Sequence, residues 1–112
     1  MYRDLQRLQE IAQELTSIGV YITFQSEKVR SLDELNEALE IAEKRLRAGR
    51  RRLESLKVDK SLRIPVSLLK SVFSEFQKSV EALRQGKRAK SKFHQERAKQ
   101  LSVQFVTQIT RR

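Results

Sequence analysis

The residues of this chain best suited to chemistry are cations. Lys44, Arg45, Arg47, Arg50, Arg51 and Arg52 fall within nine positions. Arginine carries forked donors that match phosphate oxygens, and several on one helix keep their spacing while gripping a polyanion, so the chemistry this block suits is contact with backbone phosphates. The plainer alternative is a solvated face that pairs with Glu37, Glu40, Glu43 and Glu54, but these acids are few and lie mainly one or two turns upstream. A second block, Lys87, Arg88, Lys90, Lys92, Arg97 and Lys99, is opposed only by Glu96 and spreads around its helix. It suits either phosphate contact or neutralisation of an acidic stretch that includes Glu27, Asp33, Glu34 and Glu37. Tyr21, Phe24 and Phe93 are rings able to stack on bases, and equally able to pack in a core.

Little else in the chain is equipped for catalysis. His94 is the sole histidine, no second histidine, cysteine or acidic cluster stands at metal-ligand spacing around it, and it reads as a solvated helix residue. Ser71, Ser74 and Ser79 have no base beside them, and the three glycines are isolated rather than gathered in a phosphate-binding loop. The expectation is a protein that is not an enzyme, with no cofactor, no metal and no small-molecule substrate.

A net charge of +10 is unevenly placed. Residues 1–43 hold four basic and nine acidic residues, whereas residues 44–112 hold twenty basic and five acidic ones. Such polarity points to an anionic partner on one side, and it also lets the acidic third neutralise part of the basic remainder. The 38% hydrophobic and 34% charged composition, with one proline and no cysteine, is that of amphipathic helices without disulfides. No window approaches about eighteen consecutive apolar residues, and charges appear already at Arg3 and Asp4. A membrane span and a secretory signal are therefore not expected, membrane association is a remote third reading, and the default address is cytoplasmic.

The elements that would position these cations follow from periodicity. Leu32, Leu35, Leu39, Ala42, Leu46, Gly49, Leu53 and Leu56 alternate steps of three and four, which is the seam of a long helix over 31–57 that packs lengthwise on a partner. Ser31 and Glu34 have capping-box spacing at its start. Relative to that seam, Arg45, Arg47, Arg50, Arg51 and Arg52 fall on the flanks and back, where all can reach solvent. Pro65 opens a second long helix, 65–100, whose apolar face is Leu68, Leu69, Val72, Phe73, Phe76, Val80 and Leu83. Antiparallel pairing about a turn near Lys60 would set Phe73 and Phe76 against the small residues Ala42 and Gly49.

At the N-terminus, residues 1–18 form an amphipathic helix through Leu5, Leu8, Ile11, Ala12, Leu15 and Ile18, with Gly19 placed to end it. Within the connector 19–30, the alternating run Val20 to Phe24 reads as a short strand or an extended arm. The tail 101–112 alternates like a strand over 101–110, yet Ala98, Leu101, Phe105 and Ile109 also share a helical face, and the lack of Gly or Pro after Lys87 favours helix.

The expected fold is one all-α domain: a long antiparallel, coiled-coil-like hairpin with an N-terminal helix, forming a small bundle. Its apolar faces exceed what one hairpin can cover, so a homo-oligomer or a place in a larger complex is expected. The expected function is non-catalytic nucleic-acid binding, DNA or RNA, through the Lys44 to Arg52 block and Lys87, Arg88, Lys90 and Lys92, with little sequence specificity. The rival is an adaptor or chaperone-like hairpin docking an acidic protein.

Overall fold

The computed structural model describes residues 2–111. Four α-helices, α1 (Tyr2–Lys28), α2 (Leu32–Ser55), α3 (Arg63–Arg84) and α4 (Arg88–Thr110), run up and down in chain order, with a 3-10 turn at Lys60–Leu62. They form a small all-α bundle of 46 × 22 × 17 Å, and no strand occurs among the described residues. The central member is α3, which packs against each of the other three helices and most extensively against α4.

Both candidate strands are helical. Residues 20–24 continue α1 because Ile18 and Ile22 extend the three- and four-residue steps of Leu8, Ile11 and Leu15, and all five are buried. The alternation of Val20, Ile22 and Phe24 has no structural consequence, since Val20 and Phe24 are exposed. Residues 101–110 complete α4, with Ala98 and Phe105 buried and Leu101 and Ile109 partly so, the helical face foreseen for them.

Two glycines decide the architecture. Gly19 does not end α1; it lies within the helix, and a Cβ built on it would sit 2.7 Å from Cζ of Phe76. Gly49 does the same for α2, where a Cβ would lie 2.9 Å from Cε1 and Cζ of Phe73. The two phenylalanines of α3 therefore enter two different helices. Phe73 meets Gly49 of the α2 seam as expected, and Phe76 closes on Gly19 of α1, a contact outside the expected pairing.

The second long helix foreseen over 65–100 is broken. Gly86, at φ +73°, is the one described residue in the left-handed region. The amide of Lys87 donates to the carbonyl of Ala82 at 2.8 Å and that of Gly86 to Leu83 at 3.1 Å, the paired bonds of a Schellman ending. The chain then returns as α4. Small residues at Ser79, Ala82, Ser91 and Ala98 line the join and let α3 and α4 approach closely.

The other ends follow local rules. Ser31 Oγ accepts from the Glu34 amide at 3.2 Å, while the Glu34 carboxylate accepts from the Arg30 amide, one residue beyond the reciprocal position of a capping box. Asp59 caps the 3-10 turn by accepting from the Ser61 amide. The α2 seam is buried from Ala38 and Leu39 to Leu53, but its first rung, Leu32, is exposed. Within the chain α2 packs against both α1 and α3, while large apolar side chains such as Val20, Leu32, Ile64, Val103 and Val106 stay exposed.

Alanine at Gly49 gains about 1 kcal/mol of helix propensity, but overpacking against a fully buried ring costs about 1–3 kcal/mol. We expect Gly49→Ala to lower stability in urea unfolding by about 1 kcal/mol, and Gly49→Ala with Phe73→Leu to cost less than the sum of the single changes. Gly86→Ala should lower stability by about 1–2 kcal/mol through backbone strain alone, with no rescue by any neighbouring side chain. Additive costs for Gly49 and Phe73 would disprove the notch.

Candidate nucleic-acid interface

Packing sorts the arginine block by helical angle. Leu46, Gly49 and Leu53 point into the bundle, which turns Arg45 and Arg52 toward α1. Arg45 donates to the Glu14 carboxylate at 2.9 Å and to Ser17 Oγ at 3.0 Å, and its guanidinium lies over the Tyr21 ring. Arg52 donates to Glu10 at 2.8 Å. On the opposite flank Arg50 spans Glu54 at 3.2 Å and Gln77 of α3 at 2.9 Å. Lys44, Arg47 and Arg51, at steps of three and four, occupy the back of α2, exposed and without an ion pair among the described residues. The block is therefore not one uniform face. Half of it ties α2 to its neighbours, and the partners are chiefly the α1 acids Glu10 and Glu14 rather than local acids of α2.

The second block divides as well. Arg88 and Lys92 line a cleft with Thr23, Ser26 and Glu27 of α1. Lys90 and Arg97 lie on the other flank of α4, the flank from which His94 and Arg97 reach Glu75. Lys87 stands at the position before α4, makes no side-chain cap to the helix and is exposed. Among the described residues Lys87, Arg88, Lys90 and Lys92 make no ion pair, and none reaches Glu27, Asp33, Glu34 or Glu37.

Between these flanks lies the outer face of α3. Gln77 faces α2 and Glu75 faces α4, so at about 3.6 residues per turn Lys70, Ser71, Ser74, Lys78 and the acid Glu81 fall between them, away from α1. Lys70, Ser71 and Lys78 are exposed and Ser74 is half-buried. Arg47 and Arg50 border this strip on one side and Lys90 and Arg97 on the other. Three helices thus present cations around a strip rich in serine.

Glu75 is the ionisable residue that periodicity alone passes over. Its side chain is 8% exposed and accepts from His94 Nδ1 at 2.6 Å and from Arg97 Nε at 3.1 Å. Burial pushes its carboxyl up. Hydrogen bonds from His94 and Arg97, with attraction from Lys78 and Arg97, outweigh that and hold it below the ordinary carboxylate value. An ionised carboxylate only accepts, so the shared hydrogen resides on Nδ1. His94 is accordingly no solvated residue; its side chain is 12% exposed and fixed on Glu75. The available signal was an acid set among Val72, Phe73 and Phe76, a position that demands a cation.

A second polar group joins α1, α3 and α4. Ser79 and Ser91 hydroxyls lie 2.7 Å apart in the core, Gln95 Nε2 donates to both at 3.1 Å, and Thr23 donates to Gln95 Oε1. No buried side-chain nitrogen or oxygen among the described residues lacks a partner. Among those residues no three His, Cys, Asp or Glu side chains converge as metal ligands, and no helix is long and apolar enough to cross a membrane. Neither a family model, nor a curated protein, nor a solved structure matches the chain.

A carboxyl held below its unfolded value contributes stability that is present above the unfolded pKa of about 4.3 and is lost as pH falls through the folded one. Glu75→Gln should therefore lower the urea midpoint at neutral pH, and the gap to the parent protein should close as the pH drops below about 4. A gap that stays constant between pH 7 and pH 3 would rule out the ion-paired carboxylate as its source.

Proposed function

We propose that this protein binds nucleic acid non-catalytically through backbone phosphates, as an accessory protein or small subunit of a nucleoprotein complex. One observation carries the reading: the acids that do form ion pairs, Glu10, Glu14, Glu43, Glu54 and Glu75, are engaged within or between helices, and unpaired cations remain outside. Lys44, Arg47 and Arg51 on α2, Lys70 and Lys78 on α3 and Lys90 on α4 stand exposed on helices, outside any ion pair among the described residues. Guanidinium and ammonium groups so held meet a phosphodiester backbone without first breaking internal pairs. No base-reading helix with a glycine turn is evident, so binding depends little on sequence. DNA and RNA backbones satisfy this chemistry alike.

The decisive variant reverses the free cations together: Lys44→Glu, Arg47→Glu and Arg51→Glu. None touches another described residue through an ion pair, so the thermal unfolding midpoint should stay close to that of the parent protein. In anisotropy titrations on a random oligonucleotide the parent protein should lose well over tenfold in affinity between about 50 and 200 mM salt, and the triple variant should bind far more weakly with a slope shallower by about 2–3. The pair Arg45→Gln and Arg52→Gln should retain most of the binding, because those side chains are spent on Glu14 and Glu10. Unchanged titrations for the triple variant would refute the reading, and loss of an acidic protein partner with nucleic-acid binding intact would replace it with the adaptor.

A further inference from the structure

Phe93 stands on the basic flank of α4 and is 57% exposed. Single exposed apolar side chains are ordinary on protein surfaces, so exposure alone assigns nothing. What distinguishes Phe93 is its setting. The Arg97 guanidinium lies over the ring at 5.7 Å, and the His94 ring meets it edge-on, with centroids 5.2 Å apart and planes at 72°. Both neighbours are anchored by one buried carboxylate, Glu75, through bonds of 3.1 and 2.6 Å. A ring whose two neighbours are fixed to the core is held in place while much of its surface stays open.

Its surroundings hold more cations and hydroxyls than acids, the exposed acids being Glu96, one turn along α4, and Glu81 on α3. Lys90 and Arg97 share its flank of α4, and the Lys70, Ser71, Ser74 and Lys78 strip of α3 lies beside it, bounded on the far side by Arg47 and Arg50. An aromatic platform beside a positively charged strip is the arrangement by which proteins hold single strands: phosphates follow the cations, and an unpaired base covers the ring. A duplex keeps its bases stacked on each other and has none to offer.

From the fixed Phe93 ring and the cationic strip beside it, we infer that this surface is a binding site for single-stranded nucleic acid, with a base stacked on Phe93 and the backbone led across α3 toward Arg47. The inference rests on the proposed phosphate-binding reading and sharpens it from polyanion to unpaired strand. The Arg97 guanidinium behind the ring adds electrostatic attraction to the stack.

The test uses the full chain with three probes: a polypyrimidine DNA strand of about twenty nucleotides, its RNA counterpart, and the corresponding DNA duplex. Phe93→Ala and Phe93→Leu should each weaken the two single strands by about tenfold or more, while the duplex affinity and the salt slope stay unchanged. The chain has no tryptophan, so Phe93→Trp places one indole at the site. Its emission should be quenched by either single strand and left unaltered by the duplex. Phe93→Ala binding single strands as tightly as the parent protein, or losing single strand and duplex equally, would overturn the stacking site, and so would an unquenched indole at saturation. In those cases salt-dependent binding by the parent protein leaves the phosphate reading standing, whereas a parent protein that binds none of the three probes removes both.

Discussion

The close seating of α3 between two glycine notches is the constraint on which the rest of this molecule depends. Phe73 occupies the space that a side chain at Gly49 would need, and Phe76 the space at Gly19. A helix backbone approached at such range leaves little freedom in rotation, because turning α2 by one position would drive a real Cβ into the ring. Interiors packed to the density of organic crystals tolerate no such shift. The angular position of every other residue on α1 and α2 is set by these two contacts.

The fate of the arginine block follows from that rotation. With Gly49 against α3, Arg45 and Arg52 must point at α1, where Glu14 and Glu10 wait, and Arg50 must reach Gln77. What is left pointing outward is Lys44, Arg47 and Arg51. Part of the charge polarity along the sequence is resolved between helices: α1 supplies Glu10 and Glu14 to α2, and α3 supplies one buried acid, Glu75, to α4, while Glu27, Asp33, Glu37 and Glu40 stay exposed outside those pairs. Exposed pairs of this kind contribute little stability each, so their main consequence is to choose which cations stay free. Glu75 is different in kind, since burial makes it dependent on His94 and Arg97, and that dependence holds the surroundings of Phe93 in place.

How much of this was legible depends on whether a local rule had a competitor. The α2 seam, the Ser31 start and Pro65 in the first turn of α3 were readable because periodicity and capping act within a few residues. The Phe73 to Gly49 contact was readable because both lie on one antiparallel pair. Glycine was the ambiguous letter. The rule that glycine ends helices applies at Gly86, just past the last apolar residue of α3, yet at Gly19 the same residue serves close packing inside a helix. Nothing within a few residues of Gly19 separates these uses; the deciding atom belongs to Phe76. The alternation from Val20 to Phe24 misleads for the same reason, because Ile18 and Ile22 satisfy both periods and only the partner selects between them.

By itself, then, the amino-acid order determined a mainly helical chain, a cation-rich second part, and a long helix whose basic residues avoid its seam, since each depends on composition and on spacing along one helix. Tertiary structure alone decided that α1 runs through Gly19, that Arg45 and Arg52 are consumed by α1, and that His94 is fixed on Glu75. Those outcomes depend on atoms far apart in sequence. Coulombic and packing contacts between helices are selected by the mutual rotation of whole elements, a quantity no local pattern carries until the partners are in place.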